Sequence, residues 1–189
     1  MSGNMQVALP LALLTGGAFA LYLIARLLTG RNELLALFTS LVLAAALGTL
    51  IPLFAITGAE QSSAPTWGYL EKSGAFLRAD PGGLIVAAVA LGLGVLVSLY
   101  SGRYLALDHR YRLYYPLLLL LVTGLVGMVM AADLFNLYMF CELMSVTAYI
   151  LVAFRRRTDT AIEAGFKYLM IGSVGTVTML LGISFIYRE

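Results

Sequence analysis

The stretch DLFNLYMFCELMSVTAYILVAF, residues 133–154, is long enough for a helix that crosses the hydrocarbon core of a bilayer. It has a glutamate, Glu142, near its middle, and its only other charged residue, Asp133, stands at its first position. All the other residues are uncharged, and most of them are apolar. This pattern predicts a transmembrane helix that contains a single ionisable group, whose purpose is the first question about function.

The composition of the whole chain agrees with a membrane protein. Of its 189 residues, 61% are hydrophobic and 12% are charged, and the mean hydropathy is +0.92. Such values lie outside the range of soluble globular domains. We therefore expect a multi-pass protein of the cell (inner) membrane that contacts the lipid bilayer along most of its length.

Apolar runs long enough to span a bilayer occur six times. They predict an all-α fold with one transmembrane domain over residues 1–189 and helices at about 5–28, 34–56, 84–100, 115–130, 134–154 and 164–187. Because the runs are continuous and do not alternate between apolar and polar residues, a membrane β-barrel is a poor alternative. Residues 57–80 have a more soluble-looking composition, and we expect an external loop there.

The distribution of basic residues predicts how the helices are oriented, because cytoplasmic loops of membrane proteins are enriched in Lys and Arg. With the N-terminus outside, eight basic residues fall on the cytoplasmic side and three fall outside. The eight are Arg26, Arg31, Arg103, Arg110, Arg112, Arg155, Arg156 and Arg157, and the three are Lys72, Arg78 and Arg188. The expected topology is therefore N-out and C-out, with both termini outside the cytoplasm.

Several classes of function find no support in the sequence. The single cysteine, Cys141, cannot form an internal disulfide and has no Cys or His neighbour at metal-ligand spacing. The sequence contains no glycine-rich phosphate loop, nucleophile elbow or zinc signature, and no basic patch is interleaved with aromatic residues. We therefore expect no metal, no cofactor, no nucleic-acid partner and no catalytic residue of the soluble-enzyme kind.

The position of Glu142 is costly, because an ionised carboxylate near the bilayer centre costs about 2.5–3.5 kcal/mol on insertion scales. On a helix, Tyr138, Ser145 and Tyr149 share its face, so we expect a stripe of hydroxyl groups that faces protein or water. Intramembrane carboxylates are typical of ion and proton pathways. The alternative is a structural hydrogen-bond anchor between helices. Asp133 immediately precedes the helix, where an N-cap role would satisfy it and a functional role is the second interpretation.

A second charge, Lys167, lies about one turn inside the cytoplasmic end of the sixth predicted helix. Glu163 precedes it by four residues, which is the favourable order for an ion pair on a helix. Two interpretations follow, a local pair with Glu163 or a proton pathway shared with Glu142. Antiparallel helices separate Glu142 and Lys167 by about 12 Å along the axis. This separation excludes a direct salt bridge unless a helix is displaced, so water or hydroxyl groups would have to link them.

Two segments carry a resemblance to a known family. Residues 128–154, MVMAADLFNLYMFCELMSVTAYILVAF, and residues 163–187, EAGFKYLMIGSVGTVTMLLGISFIY, resemble the antiporter-like proton-translocating subunits of complex I, Mrp sodium/proton antiporters and membrane-bound hydrogenases. FLRADPGGLIV, residues 76–86, is similar to that family's short motif before its third helix. The resemblance covers most of the chain, and its most specific part is the segment around Glu142.

The resemblance implies roles for individual residues. Glu142 matches a glutamate that is essential to the family's proton path, and Lys167 matches a lysine that the family carries in its sixth helix. The family's path also uses a lysine on a later, broken helix and is built from two inverted five-helix repeats. This sequence ends after its sixth predicted helix. We therefore expect a subunit that is incomplete on its own and is completed by partner chains.

These observations together predict a proton-translocating membrane subunit of a complex I-like, Mrp-like or hydrogenase-like complex, with sodium as a second candidate ion and other membrane subunits as partners. The expected pathway residues are Glu142 and Lys167, and the expected supporting residues are Tyr138, Ser145, Tyr149, Glu163 and Asp133. The alternative is a non-conducting structural subunit derived from an antiporter module. An independent small permease is less favoured, because nothing in the sequence resembles a substrate pocket or a discontinuous helix.

Overall fold

The structure is a computed structural model, and it describes residues 3–27, 32–59, 66–70, 74–105, 111–154 and 159–188. Within these ranges the helices are α1 Gly3–Leu27, α2 Asn32–Ala59, α3 Pro81–Tyr104, α4 Tyr111–Met130, α5 Leu134–Val152 and α6 Asp159–Ile186. All six are long and apolar enough to cross a membrane, which confirms the predicted number. The N-out and C-out orientation stays a prediction. Of the basic residues behind it, Arg31, Arg110, Arg155, Arg156, Arg157 and Lys72 lie outside the described residues.

The helices extend beyond several of their predicted boundaries, and the start of α3 shows a physical reason. Asp80 has an extended backbone, and its Oδ2 accepts a hydrogen bond of 2.9 Å from the backbone N–H of Gly83. Pro81 follows at the first helical position, where its fixed φ is already helical and its missing N–H costs nothing. The helix therefore begins at Pro81, although the glycines at 82 and 83 interrupt the apolar run from which the later start was predicted.

The predicted all-α class is confirmed by the six membrane-spanning helices, and a short β-hairpin in addition lies within residues 57–80, where we predicted an external loop. Strand β1 Thr66–Leu70 pairs antiparallel with strand β2 Gly74–Arg78. The hairpin contacts the connection between α4 and α5, because Leu77 pairs with Ala131 and the backbone N–H of Ala132 donates to the carbonyl of Phe76 at 3.1 Å. The chain that leads into α5 is thereby held in place by backbone hydrogen bonds.

The apolar core lies among α1, α2, α3 and α4, where α2 and α4 each pack against both α1 and α3. Each helix contributes fully buried leucines, including Leu14, Leu43, Leu91 and Leu119. In contrast, α5 packs against α4, and α6 packs against α5. The last two helices therefore lie side by side along one flank of the four-helix core.

Buried hydrogen bonds join α2, α3 and α4 near one end of this core. The Tyr115 hydroxyl donates to Asn32 Oδ1 at 2.7 Å, and Asn32 Nδ2 donates to the carbonyl of Gly102 at 2.8 Å. Both Asn32 and Tyr115 are buried. Because polar groups that are left unpaired in a membrane interior cost several kcal/mol each, these bonds fix the position of α2 relative to its two neighbours.

Candidate functional site

The helix that contains the candidate glutamate begins at a cap formed by Asp133. Its Oδ1 accepts a hydrogen bond of 2.7 Å from the backbone N–H of Asn136, and its Oδ2 accepts one of 2.5 Å from the Asn136 side chain. The carboxylate thus satisfies one of the unpaired N–H groups in the first turn of α5 and also complements the positive end of the helix dipole. Asp133 has a structural role that needs no proton transfer.

Glycines in α4 determine which face of α5 turns towards the four-helix core. A Cβ atom added to Gly124 would lie 2.8 Å from the backbone nitrogen of Met144, and one added to Gly127 would overlap the ring of Phe140. Such close approach of helices is what small residues permit in membranes. The face of α5 with Phe140 and Met144 therefore packs directly on α4. Because Glu142 is two residues from each of them, it points away from α4.

Glu142 lies near the middle of α5, about 12 Å along the axis from the first residue of the helix. It is half-buried, and Tyr138, one turn earlier on the same helix face, is the neighbouring side chain that interacts with its carboxylate. In the part of the chain that the structure describes, no Lys, Arg or His nitrogen lies within 4.0 Å of this carboxylate. The site thus places a membrane-embedded carboxyl group beside a neutral hydroxyl residue, and no described cation compensates it.

The hydroxyl stripe continues along α5 towards α6. Ser145 and Tyr149 are both buried, and the Tyr149 ring packs edge-on against Tyr168 with a centroid distance of 4.8 Å. A Cβ atom added to Gly172 would overlap the Tyr149 phenol, so α6 approaches α5 at a residue without a side chain. The face that contains Glu142 is therefore the face that meets α6.

Lys167 occupies a different face of α6. Its ammonium group forms an ion pair with Glu163 at 2.5 Å, and the two side chains are 68% and 62% exposed. Gly165 lies against Ala153, the C-cap residue of α5, and Gly172 lies against Tyr149 on α5. Lys167 is two residues from Gly165 and hence about 200° further round the helix, on the side away from α5. The structure thus brings Lys167 together with Glu163 and does not bring it together with Glu142.

Most of α6 is uncovered within the described chain. In the most apolar stretch of α6, 6% of the residues are buried. In the corresponding stretch of α4, 56% are buried. Four small or hydroxyl residues lie close together in the middle of α6: Gly172, Ser173, Gly175 and Thr176. The side of α6 that bears Lys167 is accordingly open to whatever lies beside it in the membrane.

Some residues of this site were not singled out from the sequence. Tyr168 and Gly172 position Tyr149, and Gly165 allows Ala153 to approach α6. The sequence feature that could have identified them is the seven-residue spacing between Gly165 and Gly172, which places these two small residues on one helix face. In the described ranges, no group of three or more His, Cys, Asp or Glu side chains comes together as a metal site would require.

Comparison with known proteins confirms the resemblance over the part of the chain that contains the candidate site. Residues 131–189 match the model of the family described as NADH:quinone oxidoreductase/Mrp antiporter, transmembrane. NADH-quinone oxidoreductase subunit N of Maricaulis maris is 33% identical over 190 residues, which cover 99% of this chain and 37% of that protein. Subunit N of Desulforudis audaxviator is 42% identical over 127 residues, which cover 65% of this chain and 23% of that protein.

The fold also matches a solved structure. A chain of the membrane-bound sulfane sulfur reductase, an archaeal respiratory membrane complex, superimposes with a TM-score of 0.77 over 96% of this chain and 37% of its own length, at 24% identity. This match shows a shared arrangement of helices. The chain thus spans little more than a third of that structure and of the Maricaulis relative, and about a quarter of the Desulforudis one.

Proposed function

We propose, from the premise that residues 131–189 carry the transmembrane domain of the NADH:quinone oxidoreductase and Mrp antiporter family, that this chain is all or part of a proton-translocating membrane subunit of a respiratory complex. The observation that carries the proposal is Glu142, a half-buried carboxyl group in the middle of a membrane-spanning helix, with Tyr138 one turn away on the same helix face. Intramembrane carboxyl groups of this kind are typical of proton relays.

In this proposal Glu142 accepts a proton from one side of the membrane and releases it towards the other. Tyr138, one turn earlier on the same helix face, would orient the carboxylate by donating a hydrogen bond to it. Ser145 and Tyr149, which are buried on the same side of α5, provide hydroxyl groups along which water molecules can be held. The close contact of α4 with the opposite face of α5 fixes the helix that positions all four side chains.

Lys167 is the second titratable group of the proposed pathway. Because it faces away from α5 and pairs with Glu163, a proton would reach it from Glu142 through water or through residues beyond the described part of the chain. The relatives are considerably longer than this chain, and each is named as a subunit. We therefore propose that further helices and other membrane subunits cover α6 and complete the pathway. Protons are the proposed cargo, with sodium as the alternative ion.

The test is proton translocation by the assembled complex in inverted membrane vesicles, normalised to the amount of complex. Glu142→Gln preserves size and hydrogen bonding but removes the ionisable group, and it should abolish translocation while the complex still assembles. Glu142→Asp keeps the ionisable group on a shorter side chain and should retain part of the activity. Glu33→Gln is the matched control, because Glu33 is an exposed carboxylate in the first turn of α2.

Full translocation by Glu142→Gln would contradict the proposal and would favour the alternative, a non-conducting structural subunit. The neutral amide would then serve as a hydrogen-bond anchor as well as the carboxyl group does. Repeating the measurement with and without sodium separates the two candidate ions, since proton uptake that depends on sodium would identify exchange of one for the other.

A further inference from the structure

Two arginines from different helices meet at one boundary of the membrane-spanning region. Arg26 is the last residue of the apolar span in α1, and Arg112 is the first residue of the span in α4. Together with Tyr22, Ala25 and Leu113 they line a shallow cavity of about 210 Å³ between the two helices. The cavity thus lies at the depth of the lipid headgroups, where tyrosines are also enriched.

Arg112 lacks a partner for one of its donors. Its Nε is buried and makes no hydrogen bond within the described residues. In addition, Arg112 stands in the first turn of α4, where the helix dipole and the unpaired N–H groups favour a negative charge and disfavour a cation. A buried, unpaired guanidinium donor at the positive end of a helix is unfavourable. A bound anion would accept a hydrogen bond from the donor and would also offset the positive charge at the helix end.

The arginine cavity shares one wall with a much larger apolar cavity. Leu113 lines both of them. The second cavity, about 700 Å³, lies between α4, α5 and α6 and is lined almost entirely by apolar side chains, such as Leu117, Ile150 and Phe166. Its lining residues come from the start of α4, the end of α5 and the start of α6, which all lie at the same end of the bundle as the arginines. Leu113, an exposed residue, is therefore the residue at which the charged cavity and the apolar cavity adjoin.

We propose that these two cavities form one binding site for an anionic phospholipid. The phosphate accepts charge-assisted hydrogen bonds from Arg26 and Arg112, and one acyl chain passes Leu113 and fills the groove between α4, α5 and α6. A free inorganic anion would use the arginines but leave the apolar groove empty, and a protein helix would fill the groove but leave the buried Nε without an anion. A phospholipid matches both halves of the site.

The first experiment measures lipid binding to the purified protein by native mass spectrometry in a neutral detergent. Dioleoyl phosphatidylglycerol should bind at least about tenfold more weakly to the Arg26→Gln, Arg112→Gln double variant than to wild type, because two charge-assisted contacts are lost. Arg103→Gln is the matched control, since Arg103 is an exposed arginine in the last turn of α3 at the same end of the bundle. It should bind the lipid as wild type does.

Three results of this experiment would overturn the proposal: unchanged affinity in the double variant, equal affinity of wild type for phosphatidylcholine, or displacement of the lipid by inorganic phosphate. The last result would mean that the arginines hold only a free anion.

A second experiment needs only the wild-type protein and so does not depend on the folding of a variant. Phosphatidylglycerol with a photoreactive diazirine in its acyl chain is irradiated in the presence of the protein, and the adducts are located by peptide mass spectrometry. They should concentrate on residues 113–117, 146–154 and 162–169, the segments that line the groove. Adducts spread evenly over the lipid-facing surfaces of α1, α2 and α3 would overturn the proposal, as would a groove that contains no adduct because a helix occupies it.

Discussion

The phenol of Tyr149 on α5 occupies the space where Gly172 on α6 would otherwise carry a side chain. The contact is extended by Tyr168, whose ring packs edge-on against that of Tyr149. Because there is no hydrophobic driving force between helices in lipid, close packing of this kind is a main source of their association. The position of α6 therefore depends on a glycine.

We predict that Gly172→Ala weakens the association of α5 and α6. The added methyl group would overlap the Tyr149 phenol, and overpacking of this kind costs about 1–3 kcal/mol. Gly175→Ala is the matched control, because a Cβ atom there meets nothing within 4 Å. The free energy of unfolding, measured by titration with sodium dodecyl sulfate in mixed micelles, should fall for the first variant only. Equal stability of the two variants would contradict the packing described.

Gly124→Ala should be more damaging than Gly127→Ala. The added carbon at Gly124 would meet backbone atoms of Met144, which cannot move unless α5 moves, whereas the carbon at Gly127 would meet the ring of Phe140, which can change its rotamer. The same measurement of the free energy of unfolding ranks the two variants. Gly92→Ala is the control, because a Cβ atom at that position meets nothing within 4 Å. The reverse order would show that α4 and α5 are not held at the backbone contact.

Tyr115→Phe should destabilise the four-helix core by about 1–3 kcal/mol, because Asn32 Oδ1 loses its 2.7 Å hydrogen bond while it stays buried. Tyr100→Phe removes a hydroxyl from a tyrosine that is 70% exposed, and it should leave stability unchanged. Unfolding titrations of both variants provide the comparison. If the free energy of unfolding fell no more for Tyr115→Phe than for Tyr100→Phe, water would be replacing the tyrosine hydroxyl.

Asp133 offers a way to separate capping from proton transfer. Asp133→Asn keeps an N-cap oxygen and should keep both stability and translocation, whereas Asp133→Ala should lower the free energy of unfolding by about 1 kcal/mol. Stability is read from unfolding titrations and translocation from the vesicle assay. If Asp133→Asn assembled normally but lost translocation, the carboxylate would have a role in transport beyond the cap.

The ion pair between Glu163 and Lys167 should contribute little to stability. Both side chains are mostly exposed, and pairs four residues apart on a helix contribute about 0.3–0.5 kcal/mol. Lys167→Met should therefore unfold at nearly the wild-type detergent concentration. A loss of translocation in that variant would then reflect chemistry at Lys167 and not a damaged fold, whereas unchanged translocation would remove Lys167 from the proposed pathway.

The sequence was sufficient for those parts of the fold that depend on local pattern. Six apolar runs predicted six helices, because spanning a bilayer requires length and hydropathy, which are both visible in the chain. The hairpin was missed because its two five-residue strands lie within the more soluble-looking stretch of residues 57–80 and contact Ala131 and Ala132, more than fifty residues away. Pairing over such a separation leaves no local periodicity to read.

The sequence likewise predicted those features of the candidate site that depend on a single helix. Helical spacing correctly places Tyr138 beside Glu142. It also correctly places Ser145 and Tyr149 on the buried side of α5, since these relations are internal to one helix. The sequence left two alternatives for Lys167, a local pair with Glu163 or a pathway shared with Glu142. It could not decide between them, because the axial distance to Glu142 does not reveal the direction in which a side chain leaves its helix. That direction became visible only when Gly165 and Gly172 were found against α5.

The serial packing of the last two helices has a consequence for biogenesis. Since α1, α2, α3 and α4 share one core and α5 packs mainly against α4 among them in the described part of the chain, these four helices can assemble in the membrane while the ribosome is still synthesising the rest. Helix α6 is then inserted with one described neighbour and with Lys167 facing outwards. Of the six described helices, α6, which contains the second titratable group, thus gains the least from packing within the described part of the chain.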